Sequence, residues 1–375
     1  MRKKDTLNDS YLSLFFRFLK FGFLAWGGPV AQISLMYEEL VIRAKWMTEK
    51  HFTKVLAIYQ AMPGPEATEL SVYFGYRRHG RFGGLLSGLG FVLPGFLMVL
   101  FFSWFYLTYG MQLEWVQDIL YGIKPVIIAL IVLALLRIGK ATIDGWQPAL
   151  IAMTAFIIDL VFRPNLILLI FALGFLMLLF SVRQVAALSF IMFVGIAAMP
   201  AWHYGLIFLV FLKAGLVTFG GAYTVVPFIQ EAAVQHYHWL TSSQFLDGMA
   251  ISGMVPAPFI IVATFVGYLA GGFWGALLAT IAIFLPAFLI TTLFYKTVER
   301  LTENRRLQTF LIGVTAAVVG VIFVTAIDLA RVTFIDAWTV MLGLTAFLCL
   351  WRWRLNIAVA ILGSGAIGYL IRMLG

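Results

Sequence analysis

The sequence predicts an all-α, polytopic membrane protein made of two homologous, inverted halves with proline-interrupted helices and about 12–13 membrane segments. Three observations predict it: an apolar composition spread along the whole chain, an internal repeat, and Gly/Pro breaks at equivalent places in both repeats. Of 375 residues, 62% are hydrophobic and 11% are charged, and the mean hydropathy is +0.97. A soluble domain carries about a quarter of its residues as Asp, Glu, Lys and Arg. Apolar runs at 85–107, 126–136, 166–180, 277–294 and 311–327 recur too evenly for one buried helix or one tail. Backbone groups in lipid must be satisfied internally, and the period-two alternation of a barrel is absent from the sequence, so the spans read as helices.

Taken in order, the spans lie near 12–34, 55–75, 84–106, 120–137, 146–162, 165–181 and 184–200, then 204–229, 247–268, 273–295, 308–329, 335–350 and 355–372. The chain begins Met1-Arg2-Lys3-Lys4, and the apolar stretch from Tyr11 lacks a small-residue cleavage site. The expectation is an uncleaved N-terminus held in the cytoplasm of a bacterial-type inner membrane. The cytoplasmic loops then receive Arg77, Arg78, Arg81, Lys140, Arg183, Lys296, Arg300, Arg305, Arg306, Arg352 and Arg354, and the outside receives Arg163, Arg331 and Arg372. The stretch 38–54 falls outside, its four basic residues nearly offset by Glu38, Glu39 and Glu49. Several spans are only 16 or 17 residues long, which admits tilted pairs and partial crossings. The net charge of +9 suits loops facing anionic lipid and calls for no nucleic acid.

The strongest signal beyond hydrophobicity is self-similarity. Phe18-Leu19-Lys20-Phe21-Gly22 is answered by Phe211-Leu212-Lys213-Ala214-Gly215, 193 residues later. Gly27-Gly28 matches Gly220-Gly221, Glu38 matches Glu231, and Trp46 matches Trp239. Pro63-Gly64-Pro65 falls opposite Pro256-Ala257-Pro258, and Leu93-Pro94 opposite Leu285-Pro286. Two membrane halves, 1–200 and 201–375, follow, a plan known for secondary transporters. The loop 76–81 carries Arg77, Arg78 and Arg81, whereas its counterpart 268–273 carries no charge. Basic residues favour the cytoplasmic side of short loops, so the halves should be oppositely oriented.

The breaks are the candidate site. Gln60-Ala61-Met62-Pro63-Gly64-Pro65-Glu66-Ala67-Thr68-Glu69 cannot continue a regular helix, because proline removes a donor and clashes with the preceding turn. Interrupted helices at equivalent positions of inverted repeats point to a transport site. Freed N–H groups and the positive end of a broken helix attract an oxyanion without a buried lysine. Gly27-Gly28-Pro29 and Gly220-Gly221-Ala222 either pack helices closely or line the same path. Lys20 and Lys213, each seven residues before a diglycine, either snorkel to the interface or contribute to an anion path. Glu66 and Glu69 face Phe259 and Val262 in the other half; they relay protons, bind a coupling cation, or pair with Arg77 and Arg78.

Enzymatic readings find no support. The single cysteine, Cys349, excludes an internal disulfide and a multi-cysteine centre. Five histidines give no HExxH, and there is no Walker A motif, so no metal, cofactor or direct ATP drive is expected. Ser87 in Gly84-Leu85-Leu86-Ser87-Gly88 misses the nucleophile-elbow spacing.

At these residues the chain resembles the chromate ion transporter family in its long, two-domain form. The stretches that carry the resemblance are Phe21-Gly22 through Gly27-Gly28-Pro29, Pro63-Gly64-Pro65-Glu66-Ala67-Thr68-Glu69-Leu70 with Gly75-Tyr76-Arg77-Arg78, and Phe284-Leu285-Pro286. In the second half they are Phe219-Gly220-Gly221-Ala222-Tyr223 and Ala263-Thr264-Phe265-Val266-Gly267-Tyr268. The resemblance implies a bacterial inner-membrane carrier exporting chromate, with sulfate as competitor, driven by the proton gradient. A channel or carrier for a different small anion or solute is the alternative. The expected partners are a small inorganic oxyanion, protons and lipid; the oligomeric state is open, a homodimer included. The expected substrate path takes in Gly27, Gly28, Gln60, Pro63, Gly64, Pro65, Glu66, Thr68, Gly220, Gly221, Tyr223, Pro256, Ala257 and Pro258. Lys20, Glu69, Arg77, Arg78 and Lys213 are the candidates for coupling or anion attraction. Ala257 stands where the family often shows glycine, which makes the first half the better place to look for substrate contact.

Overall fold

The computed structural model describes residues 10–24, 26–60, 62, 64–181, 203–294 and 304–374. Each described element is helical, and the series runs twice. The first pass is α1 (Tyr11–Leu24), α2 (Pro29–Met36, continued by a π-turn over Tyr37–Arg43), α3 (Glu49–Gln60), α4 (Glu66–Phe105), α5 (Glu114–Thr142), α6 (Trp146–Phe162) and α7 (Leu166–Ser181). The second is α8 (His203–Leu216), α9 (Val226–Gln230, continued over Glu231–His236), α10 (Ser242–Met254), α11 (Val262–Leu289), α12 (Arg305–Thr333), α13 (Ala337–Arg352) and α14 (Ile357–Leu374). The expected span 184–200 lies outside the described residues.

The local causes repeat with the elements. Proline opens α2 and α9, where its missing N–H costs nothing. Positive φ recurs at Gly27 and Gly28 and again at Gly220 and Gly221. It recurs also at Lys45 and His238, at Gly80 and Gly272, and at Arg163 and Arg354. Phe18 packs on Trp46 as Phe211 packs on Trp239. A capping box of Thr241 and Gln244 starts α10, and one of Asp336 and Thr339 starts α13.

α4 and α11 are not straight. Each folds back at a glycine with φ of 62°, Gly80 and Gly272, preceded by His79 and Gly271. Glycine makes the fold-back tight. A Cβ on Gly75 would collide with Ser87 and the Gly83 carbonyl, and one on Gly267 with Ala279 and the Gly275 carbonyl. The first limbs, 66–78 and 262–270, therefore stop well short of a full crossing, since thirteen helical residues cover about 20 Å. The second limbs, with α5 and α12, are long and apolar enough to cross.

Chain direction follows from packing. Tyr11 touches His79 and Phe82 at the Gly80 turn, while Gly22 lies against Pro94 and the Phe91 carbonyl, so α1 descends beside the second limb of α4. Trp46 then lies under the guanidinium groups of Arg17, at 5.1 Å, and Arg78, at 4.3 Å, back at the level where α1 began. The chain has reversed at Gly27-Gly28. It reverses again between α3 and α4: Phe52 stacks on Phe74, and His51 bonds Tyr73 at 2.8 Å, so α3 descends and the first limb of α4 returns. The expectation that 38–54 lies on the opposite side from Arg77 is thus corrected, because diglycine turns the first span around before it crosses. The same holds for 204–229 and 247–268 in the second half, where His203 bonds the Ala270 carbonyl and packs on Trp239. Among the described residues, four of the expected spans, 12–34, 55–75, 204–229 and 247–268, fold back on themselves and leave on the side they enter.

The halves are inverted. Gly84 packs on Thr292 and Gly88 on Phe288, so the crossing limbs of α4 and α11 run antiparallel, and the Gly80 and Gly272 turns sit on opposite sides. One side, called here the arginine side, holds Arg77, Arg78 and Arg81 with the ends of α5, α12 and α13. The other, the far side, holds Arg163, Arg331 and Arg372 near Asp328 and Asp118. The core is shared: α12 packs on α5, α6 and α7, and α14 on α5, where Gly122 and Gly368 bring two backbones together and Ser364 bonds the Gly122 carbonyl.

Two outcomes check this fold. With Cys349 replaced by serine, Arg78→Cys and Gly271→Cys label with a membrane-impermeant thiol reagent from opposite sides, and Thr48→Cys labels from the same side as Arg78→Cys. Gly75→Ala overpacks the α4 fold-back, at a cost of about 1–3 kcal/mol, and lowers the melting temperature of the detergent-purified protein.

Candidate functional site

The breaks leave helix ends with unsatisfied backbone groups deep in the protein. α8 stops at Leu216, and the chain turns through Thr218 and Phe219 to Gly220 and Gly221. α4 starts at Glu66 after Pro65, whose φ of −80° and ψ of 104° are extended. The two ends meet: the Gly64 N–H donates to the Thr218 carbonyl at 2.9 Å. Gly64 has φ of +147°, and a Cβ there would stand 2.8 Å from Glu69 Oε1. Glycine is required at that point both for conformation and for space.

Around this junction the side chains are few. Gly221 faces Glu66, whose Oε1 lies 3.6 Å from where a Cβ would stand. Tyr223 stacks on Phe259, ring centroids 4.3 Å apart, which joins the Gly220-Gly221 turn to the Pro256-Ala257-Pro258 break. Ala257 is buried against Gly95, so the methyl that replaces glycine in this break is received by a glycine on α4. Glu69 and Thr68 are fully buried, and neither carboxylate oxygen of Glu69, nor the Thr68 hydroxyl, has a hydrogen-bond partner among the described residues.

A cavity of about 490 Å³ opens from the arginine side toward the junction. Lys54, Gln60, Thr142, Gly220, Gln308 and Thr315 are among its lining residues. On α5, one turn before Thr142, Ile138 packs against Gly220, and the exposed Arg137 acts electrostatically on both Glu66 and Tyr223. Arg137 is the residue the sequence reading missed. It falls at the end of the expected span 120–137, and an ionisable residue inside a span is itself a signal.

The structure thus gathers Gln60, Gly64, Pro65, Glu66, Thr68, Glu69, Gly220, Gly221, Tyr223, Pro256, Ala257 and Pro258. Pro63 lies outside the described residues. Gly27 and Gly28 are elsewhere, against Asn356 and Ile357 at the start of α14. Arg77 and Arg78 are not beside Glu66 and Glu69. They sit eight to twelve residues further along the helix, about 12–18 Å, with Arg77 exposed and Arg78 over Trp46. Lys20 and Lys213 are exposed on α1 and α8, which enter from opposite sides. Asp159 is buried on α6 near Arg163 and Asp328.

Geometrically, two half-helix N-termini, those of the first limbs of α4 and α11, approach the junction from opposite sides. Each contributes about half a positive charge and free N–H groups. The arrangement can hold a small anion on backbone donors, with one arginine on the approach and two carboxyl groups within it.

The comparisons agree with a transporter. The family described as Chromate transporter matches residues 12–178 and again 205–369. The chromate transport protein of Pseudomonas aeruginosa is 44% identical over 96% of this chain and 92% of its own. The probable chromate transport protein of Synechococcus elongatus is 34% identical over 89% of this chain and 88% of its own. The chromate transport protein of Cupriavidus metallidurans is 32% identical over 94% and 90%. No solved structure matches. With apolar helices, two matched repeats and relatives covering almost its whole length, this multi-pass membrane chain belongs to the chromate transporter family.

Proposed function

We propose that the chain is a secondary transporter that exports a tetrahedral oxyanion, chromate with sulfate as a competitor, across a bacterial inner membrane, coupled to protons. The carrying observation is the meeting of two oppositely directed half-helix N-termini at Gly64, Gly221 and Phe259, below a cavity lined by Gln60 and Gly220, with Arg137 acting electrostatically on Glu66 and Tyr223. The relatives' name supplies chromate. Chromate and sulfate are both tetrahedral dianions, which suits a site of backbone donors. The positive-inside rule makes the arginine side cytoplasmic, with the N-terminus there, and a cavity open to that side fits export. The units related by inversion are 1–200 and 201–375.

In this reading Arg137 receives the anion from the cavity and passes it to the N–H groups at Glu66 and Gly221. Glu69 holds the coupling proton: ionised, it would be a buried charge without a described partner, which costs several kcal/mol. Glu66 lies between anion and proton sites and transmits the charge state of one to the other.

Proteoliposome uptake of radiolabelled chromate, sulfate and a panel of other anions, with and without a pH gradient, tests the whole proposal. Saturable chromate uptake inhibited by sulfate is expected; uptake linear in concentration would mean a channel. Arg137→Gln raises the KM for chromate about 10–100-fold, the loss of one charge-assisted contact, and Arg137→Lys restores part of it. Glu69→Gln leaves anion exchange in place but abolishes its stimulation by a pH gradient. Unchanged kinetics in both variants would remove the assigned site.

A further inference from the structure

A second buried polar cluster lies on the far side, away from the cavity. Asp247, on the re-entrant helix α10, is 2% exposed and forms an ion pair with Lys124 of α5 at 3.0 Å. Its other oxygen accepts from the Tyr106 hydroxyl, at the end of α4, at 2.8 Å. The Lys124 ammonium also donates to Ser243, one turn earlier on α10, at 2.8 Å. First-half helices thereby clamp the second-half helix that descends to the Pro256 break.

Inversion shows what this cluster corresponds to. Asp247 follows Lys54 by 193 residues, the spacing of Trp46 and Trp239. Lys124 precedes Thr315 by 191 residues, the spacing of Glu114 and Arg305, which start α5 and α12, and of the left-handed Arg163 and Arg354. Lys54 and Thr315 both line the open cavity on the arginine side. The same two positions therefore border an open route on one side and meet in a buried ion pair on the other.

Resting on the transport reading, we propose that Lys124, Asp247, Tyr106 and Ser243 form the far-side gate of an alternating-access cycle, closed while the arginine-side cavity is open. Opening requires Asp247 to separate from Lys124, and the freed ammonium then faces the departing oxyanion along the route that Lys54 borders on the opposite side. A ligand or substitution that favours the separated state shifts the population toward far-side access.

Solvent accessibility tests the gate without any flux. In the Cys349→Ser background, Ser252→Cys lies five residues beyond Asp247 on α10, toward the break, and Ala57→Cys lies in the arginine-side cavity. Adding Asp247→Asn or Lys124→Gln speeds far-side labelling of the first probe by an impermeant maleimide about tenfold or more, and slows labelling of the second. Tyr106→Phe, which keeps shape and charge, moves both rates the same way by less, and stands in where a charge variant does not fold. In a separate arm, Lys124→Cys and Ser243→Cys are bridged by a bifunctional methanethiosulfonate; chromate uptake stops and returns on reduction. Unchanged labelling at both probes in monodisperse variants, or uptake that persists when bridged, overturns the gate. Absent uptake by the unmodified protein together with gate-dependent labelling overturns the transport reading instead.

Discussion

The hydrogen bond from the Gly64 N–H to the Thr218 carbonyl, 2.9 Å long, is the contact on which the rest depends. A chain that reverses at membrane depth leaves helix ends with orphan donors and acceptors, and hydrocarbon offers no water to satisfy them. Here an end of each type is supplied by a different half. α8 stops and exposes a carbonyl; the break before α4 exposes an N–H. Joining them lets both breaks lie inside protein, and it fixes where Gly221, Glu66 and Tyr223 stand. The same bond makes glycine obligatory at position 64, since the φ of +147° and the nearby Glu69 carboxyl both exclude a side chain.

Inversion copies the backbone and leaves chemistry free to diverge. Left-handed residues fall at matching places, yet the side chains at the junction do not match: Glu66 faces Phe259, Glu69 faces Val262, and Arg137 corresponds to Asp328, which is bound to Arg163 on the far side. Packing follows the divergence. Gly95 accommodates the methyl of Ala257, while the residue matching Gly95 in the second half is Ala287 and the residue matching Ala257 in the first is Gly64. Small and larger residues have exchanged places between the repeats. One half thus keeps the acidic pair beside its break, and the other lends an apolar wall.

What was legible in the sequence is what repetition marks. Gly27, Gly220, Pro65 and Pro258 are visible as breaks because proline and glycine forbid the regular helix that the surrounding apolar run demands. The inversion was legible because the loop around Gly272 has no counterparts of the basic residues Arg77, Arg78 and Arg81. The course of the chain after each break was not. A diglycine permits either a kink or a full reversal, and only the contacts of Trp46 with Arg17 and Arg78 decide for reversal. Arg137 escaped notice for the converse reason: with a carboxylate at the equivalent position, it leaves no repeated signal, and its role comes from Glu66 and Tyr223, distant in sequence.

Charge balance at the junction ties the anion to its coupling ion on the proposed reading. Two half-helix N-termini supply about one positive charge together, and Arg137 supplies another. Against a dianion this balances only when Glu66 and Glu69 are both neutral. With either ionised, the site is one negative charge in excess, and in a poorly hydrated cavity that excess is costly. Anion occupancy therefore favours protonated carboxyl groups, and loss of the protons favours anion release. No moving part need sense the pH gradient; the scarcity of positive charge at the breaks makes binding and protonation one event.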